Sequence, residues 1–163
     1  MSQVEYYRTQ AFAPSERLQE SQTASVPTYL RAYRENDAIA RAERMTRTGV
    51  AEVIYYNQTW PNPSLVKRHS EIYPGLPMRV WTKPVDMPAG RQLSVIQLDS
   101  EGEVVSITRR TVDGEGDPIV EDEYGPDGKR QRTRRYEYRD GSLSRVVEAG
   151  PDGVERVEYD EDD

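Results

Sequence analysis

A mainly β chain, folded as an antiparallel meander of hairpins, is predicted by three observations. Turn signals recur through residues 99–160 at Ser100-Glu101-Gly102, Asp113-Gly114, Pro126-Asp127-Gly128, Asp140-Gly141 and Pro151-Asp152-Gly153. From glycine to glycine the steps are 12, 14, 13 and 12 residues, the length of one short strand plus one tight turn. Asp-Gly also supplies the positive φ angles that primed hairpin turns demand. The third observation is a repeat: Gly-Pro-Asp-Gly at 125–128 returns at 150–153, so a full down-and-up unit takes 25 residues.

Taken in order, residues 1–28 mix polar residues with Pro14 and Pro27, and their apolar members Tyr6, Tyr7, Phe12 and Leu18 keep no sustained period. This stretch reads as an N-terminal arm, either ordered or frayed, with Ser15 able to cap a short helix. From residue 29 onward a single β-rich domain is expected. The hairpin step appears first in 29–34, 39–45 and 50–56, separated by Glu35-Asn36-Asp37 and Arg47-Thr48-Gly49. Ala38, Ala40 and Ala42 favour helix there. Tyrosines and the Val53-Ile54 pair at turn-bounded positions favour strands, which is the reading adopted.

An irregular insert follows at 57–90 and carries six of the eleven prolines. Each proline removes a backbone donor, so only 64–72 and 78–81 are free to form a short helix and a short strand. Beyond it, 93–98, 104–108 and 119–120 are the most apolar strands and are expected at the centre of the sheet. The strands at 129–139, 143–149 and 154–159 are polar on both faces, so Arg–Glu pairs across strands must help to hold them, with Arg145 and Arg156 among glutamates as examples. About eight to ten strands are expected in all. Residues 160–163 form an acidic tail.

Composition narrows the function. The 163 residues suit one domain, and 35% hydrophobic against 31% charged residues leaves little for a large core. Cysteine is absent, which removes disulfides and thiolate metal sites. The N-terminal Met1-Ser-Gln-Val-Glu-Tyr-Tyr-Arg has no basic region followed by an apolar run, so a cytoplasmic protein is expected. No stretch approaches the roughly 18 apolar residues of a membrane span. The net charge of -7 is uneven, for residues 113–163 hold 17 Asp or Glu against 8 Lys or Arg. That sign disfavours nucleic acid and anionic lipid and steers a basic partner inward.

Tyr124-Gly-Pro-Asp-Gly128, Arg135-Tyr-Glu-Tyr-Arg-Asp-Gly141 and Gly150-Pro-Asp-Gly-Val-Glu-Arg-Val-Glu-Tyr-Asp160 resemble the tyrosine-aspartate (YD) repeats of polymorphic toxin shells. They are equally similar to the tyrosine-and-glycine hairpin repeats of small antitoxin or immunity proteins from the same bacterial systems. The shells are far longer and wrap a cargo. The resemblance therefore implies the small relative: an acidic cytoplasmic protein that blocks a toxin by binding it, with no catalytic residue to carry over.

Candidate chemistry is sparse. His69, the single histidine, stands in Lys67-Arg-His-Ser-Glu71 and reads either as a base oriented by Glu71 or as a surface histidine of a basic loop. Residues two apart do not face each other on a helix, which disfavours the first. Asp113-Gly-Glu-Gly-Asp117 alternates oxygens but lacks the downstream glutamate of a calcium loop, so a plain turn is expected. Arg130, Arg132 and Arg134 alternate onto one strand face with Tyr136 and Tyr138 beyond, a phosphate-and-stacking pattern, yet their neighbours in the ladder are acidic. Tyr55, Tyr56, Trp60, Tyr73 and Trp81 of the insert region suit either a protein interface or the core itself.

The reading that results is a non-enzymatic protein-binding protein without cofactor or metal, monomeric or a homodimer, whose partner is a basic toxin domain. Glu121, Asp122, Glu123, Glu155 and Glu158 would occupy the partner's cleft, with Trp60, Trp81 and Tyr73 as anchoring aromatics. The alternative is an assembly module that self-associates through sheet edges.

Overall fold

A computed structural model describes residues 2–162; Met1 and Asp163, the last residue of the expected acidic tail, lie outside them. The fold is mainly β, with thirteen strands in an open, mostly antiparallel sheet. The chain divides into two compact units. The first unit runs to Trp81 and includes Leu98–Glu103, and the second holds Thr82–Gln97 and the residues from Val104 onward.

In the first unit, β1 (Gln3–Tyr7), β2 (Arg17–Leu18), β3 (Tyr29–Glu35), β4 (Ala38–Thr46), β5 (Gly49–Gln58) and β6 (Met78–Thr82, its last residue belonging to the second unit) lie in the order β6-β5-β4-β3-β1-β2. Residues expected as a loose or ordered arm thus supply two strands, β1 pairing with β3 from Gln3↔Arg34 to Tyr7↔Leu30. The order does not come from a hydrophobic run. Glu5 and Tyr7, two apart and so on one face of β1, are both buried, and the Tyr7 hydroxyl donates to the Glu5 carboxylate at 2.6 Å. Arg34 of β3 donates to the same carboxylate at 3.0 Å, and Arg17 of β2 lies 3.4 Å from its other oxygen.

Both faces of the first unit's strands are covered. On one, Tyr7, Leu30, Ala32, Ala42 and Ile54 form a buried cluster with Phe12, Ile39, Tyr56 and Trp81 against it. The helix-favouring Ala42 belongs in a strand because Ala32 and Ala42 pair directly, both wholly buried, and leave room for the rings of Tyr7, Phe12 and Tyr56. The helix α1 (Pro63–Ile72) is close to the expected 64–72. Asn62 caps it by accepting from the Leu65 N–H at 3.2 Å, Pro63 fills a position that needs no donor, and Leu65 and His69 bury one face at a spacing of four.

The second unit contains β7 (Val85–Met87), β8 (Gly90–Leu98, its last residue belonging to the first unit), β9 (Val104–Val112), β10 (Pro118–Tyr124), β11 (Arg130–Arg139), β12 (Ser142–Ala149) and β13 (Glu155–Asp160). Its order is β13-β12-β11-β10-β9-β8, with β7 hydrogen-bonded to β8. The repeated turn signals fall between these strands. At Asp140-Gly141 both residues have positive φ, 51° and 80°, as a primed turn requires. Gly90 is required for space: a Cβ there would meet the Val112 carbonyl oxygen at 2.2 Å. Of the three stretches expected at the centre, 93–98 lies in β8, where Ile96 and Leu98 are buried, whereas β9 and β10 contain no buried residue. Val53, Ile54, Met78 and Val80 of the first unit are essentially inaccessible, and α1 and the Phe12 segment lie against that unit's strands.

Candidate binding surface

The candidate residues divide between the units, the five carboxylates in the second and Trp60, Tyr73 and Trp81 in the first. The strand registers explain what becomes of the carboxylates. Glu121 and Glu123 of β10 lie opposite Arg134 and Arg132 of β11, and Arg134 lies opposite Glu148 of β12. Alternation then puts all of these side chains on one face. Arg110 of β9 approaches Glu121 at 3.2 Å, and the Tyr136 hydroxyl donates to the same carboxylate. Arg132 binds Glu123 and approaches Glu148 at 3.5 Å, while Arg134 bridges Glu148 at 3.1 Å and Glu158 at 3.0 Å. Asp122, opposite Thr133, accepts from its hydroxyl at 2.6 Å and lies 4.0 Å from Arg130.

The 121–123 cluster is therefore engaged in pairs within the sheet. Only 14% of the Glu121 side chain is accessible. The same pairs engage Arg130, Arg132 and Arg134, the arginines of the phosphate-binding pattern. Glu155 differs, for its side chain is 54% exposed even though it pairs with Arg135 at 2.8 Å. Because these pairs sit in solvent-accessible sheet, Glu123→Ala should cost no more than about 1 kcal/mol of stability in urea unfolding. A loss of several times that would mean the ladder is a core element.

The aromatic candidates are mostly structural. Tyr73, just past the end of α1, donates its hydroxyl to Glu43 at 2.7 Å, and its ring lies 5.4 Å from that of His69. Trp81 packs 5.9 Å from Tyr56 beside the buried cluster. Trp60 is half-buried in the connection between β5 and α1, and its bond to Pro61 is cis.

His69 is neither the surface histidine of a loop nor a base oriented by Glu71. It is buried on α1, where Nε2 lies 2.8 Å from the Leu76 carbonyl oxygen and Nδ1 lies 3.0 Å from the Tyr55 hydroxyl. A carbonyl only accepts, so Nε2 carries a hydrogen and donates it. The cleft beside it, of about 130 Å³, is also lined by Lys67, Ser70, Asp99 and Glu101. Asp99 is occupied in the turn after β8, accepting from the Glu101 and Glu103 N–H groups at 2.9 and 3.0 Å. Asp113 does the same in the turn before β10, accepting from Glu115 and Asp117, which makes it the plain turn expected.

Three buried carboxylates escaped the sequence reading: Glu5, Glu43 and Glu52. Burial works to raise the Glu43 carboxyl, but hydrogen bonds from Tyr73, Arg31 and Tyr33 outweigh it and hold the group below the ordinary glutamate value. Glu52 is held by Arg44 and, at 3.1 Å, by Arg79. Burial pushes the Tyr55 hydroxyl up to about 12, and burial together with Glu121 does the same to Tyr136. Tyr56 and Tyr73 are raised further. Each folded value exceeds the unfolded value of about 10, so the native state holds protons that the unfolded chain has released. Stability should thus fall as pH climbs from about 10 to about 12, with these four tyrosines ionising only on unfolding. A spectrophotometric alkaline titration reads this directly, and a single tyrosine step at the ordinary value would refute it.

Among the described residues no group of three or more His, Asp or Glu is placed to hold a metal ion, and no helix is long and apolar enough to cross a membrane. Comparison with protein-family models, with curated proteins and with solved structures returned no match.

Proposed function

We propose that the protein is a non-enzymatic, stoichiometric binding protein, and concretely an immunity protein that occludes the basic active cleft of a toxin domain with its acidic second unit. The observation that carries this reading is the placement of charge. Residues 113–163 hold 17 carboxylates against 8 basic groups. Cross-strand pairing engages the arginines of β11, while Asp140 in the β11–β12 turn, Asp152 in the β12–β13 turn, and Glu155 and Asp162 stay exposed, the last two even though they pair with Arg135 and Arg139. Such a surface raises the encounter rate with a basic protein and rejects acidic ones. The hairpin repeats that resemble small immunity proteins lie in this same unit.

The alternative, an assembly module, draws support from exposed apolar side chains on and beside β13, namely Val154, Val157 and Tyr159. One experiment separates the two. The full chain serves as bait in lysate of its native host at low salt, and bound protein is released by raising salt and reconstituted with pure chain. A single basic partner in equimolar complex is the expected result. Recovery of the bait alone, with a mass that grows with concentration, would overturn immunity in favour of assembly.

A further inference from the structure

Resting on that reading, we infer that the partner docks by adding an extended strand rich in Lys and Arg to the free edge of β13. In the second unit β13 is the outermost strand and pairs on one side only, with β12, from Arg145↔Asp160 to Ala149↔Glu155. Its other side presents backbone N–H and C=O groups that an added neighbouring strand would satisfy, the usual mode of strand addition. Six residues are enough for a normal strand pairing, whereas β2 and β7 have two and three. Every residue from Pro151 to Tyr159 is exposed.

Natural edges are commonly blunted by lysine, proline or a bulge. β13 contains neither lysine nor proline; its one irregularity is the unpaired Glu158 between Val157 and Tyr159, which leaves Glu155–Val157 in regular register. The chemistry of the edge selects the occupant. Residues 151–162 carry six carboxylates and one arginine, with Val157 and Tyr159 exposed by 47% and 46% among them. An incoming strand that carries Lys or Arg beside Glu155, Glu158 and Asp160 and apolar residues beside Val157 and Tyr159 would match this edge. A second copy fits poorly. Antiparallel self-pairing centred on Val157 matches Arg156 with Glu158 but brings two such acidic segments within a Debye length of each other.

The test uses the full chain and two synthetic peptides of equal length, one of lysine and valine, the other of glutamate and valine. Amide hydrogen exchange by NMR should slow at residues 155–160 with the lysine peptide only, and salt should reverse the effect. Arg156→Pro and Val157→Pro remove adjacent N–H groups that point in opposite directions along a strand. The variant that loses the outward donor should bind the peptide about tenfold more weakly while amides of β3–β5 keep their exchange rates. Equal binding of both peptides, or protection on another face, overturns the edge assignment and leaves the protein-binding reading intact. Edge protection that appears without peptide as concentration rises would assign β13 to self-association instead. Failure of both the lysine peptide and the salt-released partner to bind overturns the two together.

Discussion

Replacing Glu43 with alanine should lower the unfolding free energy by about 3 kcal/mol, because it strands a guanidinium whose partner was buried. Glu43 is 2% exposed and accepts from Arg31 and from the Tyr73 hydroxyl, which ties β3, β4 and the end of α1 to one carboxylate. The Arg31 side chain keeps about a third of its exposure, which holds the expected loss at the low end for a broken buried pair. Tyr73→Phe alone should cost about 1 kcal/mol and much less in the Glu43→Ala background, since both changes remove the same hydrogen bond. The pH dependence has a definite sign. A carboxyl held below its unfolded value contributes stability above that value and loses it as pH falls through the folded value. Urea unfolding at neutral and acid pH checks both statements, and a neutral-pH loss below about 1 kcal/mol would show that the network contributes little.

Ile54→Ala should cost about 4 kcal/mol. Ile54 is wholly buried between Ala42 on the neighbouring strand and the rings of Tyr7, Phe12, Tyr56 and Trp81 around the cluster. Four aromatic groups cannot collapse into the space of a removed sec-butyl group, so most of the cavity persists. Val157→Ala, on the exposed edge strand, is the matched control and should change stability by no more than about 0.5 kcal/mol. Urea midpoints of the two variants measure the contrast. Similar small effects would mean that the first unit's core is loosely packed.

Hairpins were legible because their information is local. Asp140-Gly141 and Asn36-Asp37 adopt positive φ in two successive residues, a requirement written in the residue types themselves. α1 was legible only as the stretch between Pro63 and Pro74 that no proline interrupts, and its Asn62 cap went unread. β1 was not legible, because what buries it is the contact of Glu5 with Arg34, 29 residues away, and not an apolar pattern. His69 misled for a related reason. Its flanking residues are basic and exposed, while its own partners are Tyr55 and the Leu76 carbonyl.

The candidate site shows the same division. Sequence alone reveals where acidic residues concentrate, but strand register decides which of them stay available. Glu121 meets Arg110 of β9 and Tyr136 of β11, Glu123 meets Arg132 of β11, and Glu155 remains half exposed. The edge position of β13 depends on strand order, which composition and spacing do not encode.

Hydrogen exchange of the full chain with and without its salt-released partner tests the central claim most directly. Protection is expected to be confined to residues of the second unit, centred on the outer hairpin of β12 and β13, and to vanish as ionic strength rises. Protection confined to the first unit, or a complex indifferent to salt, would contradict it.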